Sequence, residues 1–315
     1  MGPSATLVGA QGIYLKYKGK IMGKQKVAIL YIALGRYICF WKEFYESAQE
    51  KLLNCEKHYF IWTDNTDFEY SDMKNVTIIP AKKHGWPYDT VLRFEMFLRK
   101  ETQLRKYDYI YFFNANMKFV NYVDLSEIAP APWHTSGIVA GLHPSFEDNE
   151  KTNPDTYPYE RRKKSTAYIP FGHGKHYVCG AFNGGRSKDF LKMCHVLAEN
   201  VRIDLHNGIE AVVDDESHLN AYVADKKYLL AGRAYGFPES KLKYLKPGAM
   251  SMVKIISRHK EHPKYGGARW LRGQTNRKIP NNFMSPILIG FCRFVSVFIP
   301  HRKLRQKVRT YFGSY

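Results

Sequence analysis

The sequence lacks any cysteine pattern that would indicate a disulfide framework or a zinc site. Both kinds of site need cysteines at short, paired spacings. The five cysteines here are widely separated, and none of them belongs to a Cys-x-x-Cys pair: Cys39, Cys55, Cys179, Cys194 and Cys292. A reducing cytoplasm is therefore the simplest location for this chain.

The first twelve residues lack an apolar run behind a basic region, so we expect neither a signal peptide nor a membrane anchor there. No segment repeats at the periods of solenoid proteins. Motifs typical of RNA-recognition, KH, zinc-knuckle or helix-turn-helix modules are missing as well. The 315 residues are 44% hydrophobic and 24% charged, which is the composition of an ordinary globular protein with one sizeable domain.

Acidic residues are scarce toward the C-terminal end. No Asp or Glu follows Glu261, whereas Arg and Lys recur as far as Arg309, and the chain carries a formal net charge of +19. Polyphosphate donors, anionic lipid surfaces and nucleic acid all gain from a dense cationic field, so we expect a partner from one of these classes. The aromatic share of 15% fits a carbohydrate or nucleotide site, because sugar and base rings stack on aromatic faces.

Short apolar runs alternate with segments of helical spacing. Residues 26–34 are a nearly continuous apolar run, which predicts a buried strand, and residues 37–53 predict a helix. The apolar face of that helix is Phe40, Phe44, Ala48 and Leu52. The further predicted strands are 58–64, 75–81 and 107–114, and the further predicted helices are 90–104 and 187–200. This alternation predicts an α/β fold with a mostly parallel, Rossmann-like sheet and helices on both faces.

Ligands of such sheets gather at the carboxyl ends of strands, so the segment after Phe113 is a natural place for chemistry. It contains Asn114 and Asn116. Residues 143–166 are rich in Asn, Pro and Tyr without a sustained period, which predicts a long functional loop. Residues 180–186 (GAFNGGR) predict a glycine-rich turn before the next helix.

Four segments carry a more specific signal when they are taken together. They are the helix start at Tyr37, YFFNANMKFV from Tyr111, the run YPYERRKKSTAYIP from Tyr157, and HNGIEAVVDDESHLNAY from His206. From about residue 27 to about residue 269, this chain resembles glycosyltransferase family 6, which includes the ABO blood-group transferases and bacterial relatives. The resemblance implies a GT-A fold, a UDP-sugar donor, and α1,3 transfer with retention of anomeric configuration.

By position, the resemblance assigns these residues to the donor: Ile32, Ala33, Leu34 and Tyr37 at the uridine, Arg93, Asp215 at the sugar hydroxyls, and Cys179, Gly180 and Ala181 around the C2 substituent. Taken alone, Tyr37 would equally be a core aromatic, and Arg93 would more often be a solvated or salt-bridged helix residue. The small side chains of Cys179 and Ala181 do not clearly separate a hydroxyl from an acetamido group. We slightly favour N-acetylgalactosamine over galactose.

Asn114, Ala115 and Asn116 stand where metal-dependent members of the family have Asp-x-Asp. Two carboxylates and a diphosphate can share a divalent ion, whereas neutral amides are weak ligands that can donate directly to phosphate oxygens. Bacterial members of the family with the Asn-x-Asn form look metal-independent, so the resemblance implies a metal-independent enzyme without a cofactor here; a degenerate, inactive site is the alternative. Fixed cations would then stabilise the departing UDP, unless they are merely solvated. The candidates are Arg258, Lys260, Lys264 and Arg269.

Glu216, in the motif DESHLN, matches the family's glutamate beneath the anomeric carbon. It would act as a nucleophile or stabilise an oxocarbenium ion, or in a front-face mechanism serve only electrostatics and acceptor positioning. Asp214 is a candidate helix cap. The acceptor is assigned to His143, Val213 and Glu216. Because Val213 and Asp214 replace a Trp-His pair of the ABO enzymes, a Fucα1,2Gal terminus on an oligosaccharide or lipid-linked glycan is a hypothesis by analogy.

The predicted organisation is an N-terminal extension (1–25), a GT-A domain (26–272) and a basic amphipathic tail (273–315). Within the tail, the apolar run 286–300 is too short to span a bilayer and is followed by basic residues. We expect it to hold a bacterial cytoplasmic enzyme on the anionic inner face of the cytoplasmic membrane, the alternative being a tail packed on the domain. A sugar-nucleotide-binding pseudoenzyme and a nucleic-acid-binding protein are the alternative functions, and only transfer requires Glu216.

Overall fold

A computed structural model describes residues 25–146 and 153–273. Its strands are β1 (Gln25–Ala33), β2 (Leu52–Leu53), β3 (Cys55–Thr63), β4 (Val76–Pro80), β5 (Tyr109–Phe113), β6 (Met117–Phe119), β7 (Val123–Asp124), β8 (Ile138–Leu142), β9 (Val178–Arg186), β10 (Leu229–Ala231), β11 (Phe237–Pro238) and β12 (Ile255–Ser257). Seven of them form the central sheet in the order β10-β8-β9-β5-β1-β3-β4. Four neighbouring pairs are parallel, and β9 is antiparallel to both of its neighbours. The predicted α/β fold with a mostly parallel sheet is confirmed.

Helices cover both faces of this sheet. Their bounds are Trp41–Lys51, Tyr88–Val91, Arg93–Leu98, Glu101–Leu104, Leu125–Ile128, Ser187–His206, Asp214–Val223 and Ala268–Leu271. Short 3-10 helices span Gly35–Phe40, Pro154–Thr156, Arg233–Tyr235, Glu239–Tyr244 and Ala249–Met252. The predicted helix 37–53 therefore starts as a 3-10 turn and ends at Lys51, and the predicted helix 90–104 is a series of three short helices. The third predicted helix continues six residues further, to His206.

The alternation of side chains along β1 explains the two cores. Val27, Ile29 and Tyr31 point to the face covered by the helix Trp41–Lys51, while Ala28 and Leu30 point to the opposite face. All five are fully buried, as expected of a strand covered on both sides. The predicted apolar face of the first helix is confirmed, since all four of its residues are at most 3% exposed.

The glycine-rich segment 180–186 is a strand and not the predicted turn. It belongs to β9, which pairs with β5 and β8. A Cβ atom on Gly184 would lie 2.3 Å from a ring carbon of Tyr111, and one on Gly185 would lie 2.1 Å from the carbonyl oxygen of Gly137. These glycines therefore let neighbouring strands approach closely, which is the other common role of glycine in a sheet.

A second, three-stranded sheet in the order β11-β12-β6 extends the molecule from the end of β5. In it, β6 pairs with β12 in antiparallel fashion, so that Met117 lies opposite Ser257. This pairing brings the basic segment after Ser257 beside the motif Asn114–Asn116. Within the described ranges, no helix is both long and apolar enough to cross a bilayer. Apart from Gln25 and Gly273, the predicted N-terminal extension and C-terminal tail lie outside the described residues.

Candidate active site

The motif Asn114–Asn116 follows β5 directly and is held from two sides. The backbone N–H of Asn114 donates to the carbonyl oxygen of Ala181 on β9 at 2.8 Å. The hydroxyl of Tyr31, buried under the sheet, donates to the carbonyl oxygen of Ala115 at 2.8 Å. Two segments that the sequence assigned to the donor are therefore hydrogen-bonded neighbours at the strand ends, which is where ligands of open α/β sheets bind.

Arg93 is buried beside Gly180 and Asp215. Its Nη1 donates to the carbonyl oxygen of Gly180 at 2.8 Å, and its Nη2 lies 2.8 Å from Oδ2 of Asp215. The two side chains are only 3% and 6% exposed. The guanidinium carbon also lies 4.6 Å from the ring centre of Phe112. Arg93 is therefore salt-bridged and not solvated, and its contact with the donor stays a prediction.

Two opposing effects set the pKa of Asp215. Burial disfavours the carboxylate and raises the pKa from the ordinary 3.8 to about 6, although the guanidinium of Arg93 lowers it and the neighbouring Glu216 raises it further. A surface carboxylate with an arginine at this distance would have a lowered pKa instead. Desolvation therefore outweighs the ion pair, and Asp215 titrates just below neutral pH.

Glu216 is oriented by the same glycine. The backbone N–H of Gly180 donates to Oε2 of Glu216 at 2.6 Å, and the Glu216 side chain is half-buried. The Gly180 residue therefore binds Glu216 through its N–H group and Arg93 through its carbonyl group. This one residue fixes the candidate nucleophile relative to the buried ion pair that adjoins it.

Asn220 ties the helix that carries Glu216 to β9. Its Nδ2 donates to the carbonyl oxygen of Val178 at 2.8 Å, and its Oδ1 accepts from the N–H of Val178 at 3.0 Å. The Asn220 amide thus makes the two backbone hydrogen bonds to Val178 that a neighbouring strand would otherwise make. In the sequence, Asn220 stands out only as part of the motif DESHLN, which assigns it no role. The available signal was an amide in a helix interior, where Asn is unfavourable unless its side chain has a partner.

The helix Asp214–Val223 begins differently from the expectation for Asp214. Val213 is the N-cap residue, and its N–H donates to Oγ of Ser217 at 2.9 Å. Asp214 is the first helical residue, with a left-handed φ of 45°. This turn places Val213, one of the residues assigned to the acceptor, immediately outside the helix start.

Asn116 binds the basic segment after β12. Its side-chain Nδ2 donates to the backbone carbonyl oxygen of Arg258 at 2.8 Å, and its backbone carbonyl oxygen accepts from the N–H of Arg258 at 2.7 Å. Asn116 is 5% exposed. An aspartate could not make the first of these bonds, because a carboxylate has no proton to donate.

The four candidate cations have different surroundings. Arg258 contacts Glu43 and lies 2.9 Å from Glu239, and Lys264 lies 2.8 Å from Glu43. Arg269 is exposed. The ammonium of Lys260 lies 5.6 Å from the centre of the Tyr37 ring, within the range of a cation–π contact. Among these four, Lys260 is the one that the structure brings to the residues assigned to the uridine.

The residues assigned to the uridine divide into a buried pair and a more open pair. Ala33 and Leu34 are at most 5% exposed, and the hydroxyl of Thr63 donates to the Ala33 carbonyl oxygen at 2.8 Å. Ile32 and Tyr37 are half-buried, so their side chains can offer a surface to a ligand.

Cys179 is buried, and burial raises the pKa of its thiol to about 12. The thiol is therefore neutral and acts as an apolar wall.

His143 lies just after β8, one strand away from the helix with Glu216. Its N–H donates to the carbonyl oxygen of Tyr177 at 2.9 Å, and its ring centre lies 5.6 Å from that of Tyr177. Tyr177 precedes Val178, which Asn220 holds. His143 is thus connected through β9 to the candidate catalytic carboxylate.

Within residues 25–146 and 153–273, no three His, Cys, Asp or Glu side chains are grouped so that they could hold a metal ion.

Comparison with known proteins identifies the family of this chain. The model of glycosyltransferase family 6 matches residues 16–265. The O-antigen biosynthesis glycosyltransferase WbnI of Escherichia coli is 33% identical over 242 residues, which cover 76% of this chain and 97% of that protein. The globoside alpha-1,3-N-acetylgalactosaminyltransferase 1 of Gallus gallus is 30% identical, over 64% of this chain and 58% of that protein. The histo-blood group ABO system transferase 1 of Rattus norvegicus is 29% identical, over 70% and 65%. The chain therefore belongs to glycosyltransferase family 6, and it is a hexosyltransferase with a GT-A-like fold.

Proposed function

We propose that the protein is a metal-independent, retaining α1,3-transferase that moves galactose or N-acetylgalactosamine from a UDP-sugar to a galactose-terminated glycan. The observation that carries this proposal is the shared use of Gly180 by Glu216 and Arg93. It gives a half-buried carboxylate in a fixed orientation beside a buried ion pair. Preorganisation of this kind is what a reaction at an anomeric carbon requires.

Glu216 would act on the face of the sugar opposite the leaving group. The bond between the anomeric carbon and the diphosphate oxygen breaks, and its electron pair leaves with UDP. The oxygen of the acceptor hydroxyl forms the new bond to the anomeric carbon, and the hydroxyl proton passes to the departing diphosphate. The carboxylate either forms a transient glycosyl ester or stabilises positive charge on the ring. The hydrogen bond from the Gly180 N–H group to Oε2 fixes the orientation of this carboxylate.

Metal independence is supported by the way in which Asn116 is used. Its amide donates to the backbone at Arg258 and so holds the basic segment against the strand end. Lys260 extends from this segment toward Tyr37. We propose that its ammonium supplies the positive charge that a divalent ion supplies elsewhere in the family, and that no cofactor takes part.

The choice of donor and acceptor is supported by the names of the relatives. One of them is named as a globoside alpha-1,3-N-acetylgalactosaminyltransferase, which favours N-acetylgalactosamine over galactose. The E. coli relative is named for O-antigen biosynthesis, and this favours a bacterial, lipid-linked glycan acceptor made at the inner face of the cytoplasmic membrane. We propose that the tail 273–315 binds the anionic lipids of that face.

The test is the release of UDP from UDP-N-acetylgalactosamine and UDP-galactose in excess EDTA and again with manganese. We expect acceptor-dependent release in EDTA, with 2′-fucosyllactose as acceptor and lactose as its unfucosylated control. Glu216→Gln should abolish release while UDP still binds. A wild-type protein that binds UDP without releasing it from either donor would instead be a sugar-nucleotide-binding protein.

Lys260→Ala tests the source of positive charge, with Lys264→Ala as the matched control because Lys264 is already paired with Glu43. We expect turnover to fall by about 100-fold in Lys260→Ala and by less than threefold in the control, since removal of one transition-state contact typically costs ~3 kcal/mol. Equal effects of the two variants would contradict the role of Lys260.

A further inference from the structure

The segment between β11 and β12 exposes large apolar side chains. Tyr244 is 75% exposed, Met252 is 72% exposed and Met250 is 42% exposed. Exposed apolar residues are usually scattered singly over a soluble protein. Here, however, three of the nine large exposed hydrophobics of the described residues fall within nine consecutive positions. Val253 and Ile255 supply the buried contacts of this region instead, so the core does not depend on the exposed residues.

A second segment continues the same surface. Tyr122 is 57% exposed, and the Asn121 side chain beside it donates to the carbonyl oxygens of Met250 at 3.0 Å and Val253 at 2.6 Å. The ammonium of Lys254 donates to the carbonyl oxygen of Tyr122 at 2.8 Å. Tyr122 and the Met250 region are therefore held together. We call the surface formed by Tyr122 and residues 241–252 the Lys-Met surface.

The lysines on this surface have no acidic neighbours in sequence. Lys241, Lys243 and Lys246 are exposed, and residues 240–257 contain no Asp or Glu. The carboxylate that precedes them, Glu239, is engaged by the Arg258 side chain and by the N–H of His259. The ammonium of Lys243 lies 4.9 Å from the ring centre of Tyr244. Among the described residues, the three lysines make no ion pair, so their charge is available to a partner.

We propose that the Lys-Met surface docks on an anionic lipid bilayer. Lysines gain from the negative surface potential of anionic headgroups, and tyrosine rings are favoured at the membrane–water interface. Methionine side chains gain from hydrocarbon, which a bilayer offers and a nucleic-acid backbone does not. The surface lies within the family domain, so this contact is additional to the one proposed for the tail and does not depend on it.

The test is a lipid titration of the full chain with vesicles of phosphatidylcholine containing 30% phosphatidylserine, and with pure phosphatidylcholine vesicles. The decisive variant carries Lys→Gln at positions 241, 243 and 246. We expect its partition coefficient on anionic vesicles to fall by about 100-fold, because each lysine near such a surface is worth about fivefold. The matched control carries Lys→Gln at positions 163, 164 and 188, which are also exposed. It loses the same net charge and should bind within about threefold of wild type.

The apolar half of the surface is tested by Met252→Ser, with Phe171→Ser as control because Phe171 is 68% exposed elsewhere. We expect at least threefold weaker binding for Met252→Ser alone. The proposal is overturned if the two triple variants weaken binding equally, or if the wild type binds neutral and anionic vesicles equally or neither of them. Weaker binding of a 30-nucleotide RNA by the 241/243/246 variant, with vesicle binding unchanged, would overturn it in favour of nucleic acid.

Discussion

The buried pair of Arg93 and Asp215 should make the protein less stable as the pH rises from about 4 to about 7. The folded state raises the pKa of Asp215 from 3.8 to about 6 and therefore binds this proton more tightly than the unfolded state does. The contribution is fully favourable below the unfolded pKa and is lost as the pH rises through the folded one. The difference between a pKa of 3.8 and one of about 6 corresponds to ~3 kcal/mol. This sign is opposite to that of an exposed, salt-bridged carboxylate.

The two partners should also respond unequally to removal. After Arg93→Met, the carboxyl group of Asp215 can take up a proton and become neutral. After Asp215→Leu, the buried guanidinium cannot lose its charge, because arginine stays protonated in proteins. We therefore expect Asp215→Leu to cost roughly 3–5 kcal/mol, the range for an unpaired buried charge. At pH 5, Arg93→Met should lower the free energy of unfolding by less than Asp215→Leu does, and it should lower it by more at pH 8 than at pH 5. The double variant should cost less than the sum of the two single variants.

Urea unfolding at pH 4, 5, 7 and 8 measures these free energies, and Asp215→Asn is the control that keeps the shape of the side chain but does not titrate. The difference in stability between wild type and Asp215→Asn should change by ~3 kcal/mol between pH 4 and pH 7. A difference that is flat in pH would refute the assignment of a raised pKa. So would an Arg93→Met variant that is more damaging than Asp215→Leu at pH 5.

Three further substitutions test how the site is positioned. Asn116→Asp places a carboxylate against the carbonyl oxygen of Arg258 and should lower the free energy of unfolding by about 1–3 kcal/mol in urea titrations; an unchanged value would show that the bond carries no weight. Tyr31→Phe removes the bond to Ala115 and should cost ~1 kcal/mol with kcat nearly unchanged, so a large fall in kcat at full stability would contradict a purely positioning role. Glu160 is fully buried and accepts the N–H of Val212 at 2.9 Å, and Val212 precedes Val213, which is assigned to the acceptor. Glu160→Gln should therefore raise the KM for the acceptor more than the KM for the donor in steady-state assays; the reverse pattern would count against it.

The sheet could be predicted from the sequence because the apolar pattern within each strand indicates that the strand is buried. The apolar run of β1 and the four-residue face of the first helix are local patterns, and both are confirmed. The segment 180–186 was predicted wrongly because glycine indicates either a turn or a close approach. The deciding neighbour, Tyr111, is more than seventy positions away in the chain. No local pattern contains that information.

The candidate site shows the same limit. The motif around Glu216 lies on a helix that the structure holds beside Gly180. The local pattern around Arg93, however, favours a solvated or a salt-bridged residue without indicating which, since nothing near it in sequence points to Asp215. The pairing of Arg258 and Lys264 with Glu43 spans more than two hundred residues. This pairing distinguishes Arg258 and Lys264, which contact Glu43, from Lys260, which lies near Tyr37. Only the fold brings Glu43 beside this basic segment.

The glycine at position 180 is favoured by close packing and not by a positive φ. A Cβ atom there would lie 3.0 Å from Oδ2 of Asp215 and 3.5 Å from both terminal nitrogens of Arg93. A side chain at this position would therefore require the Asp215 carboxylate to shift within a buried ion pair. It would also disturb the N–H and carbonyl groups that hold Glu216 and Arg93. Because both contacts start from one residue, the orientation of the candidate catalytic carboxylate of Glu216 depends on the same residue as the buried pair.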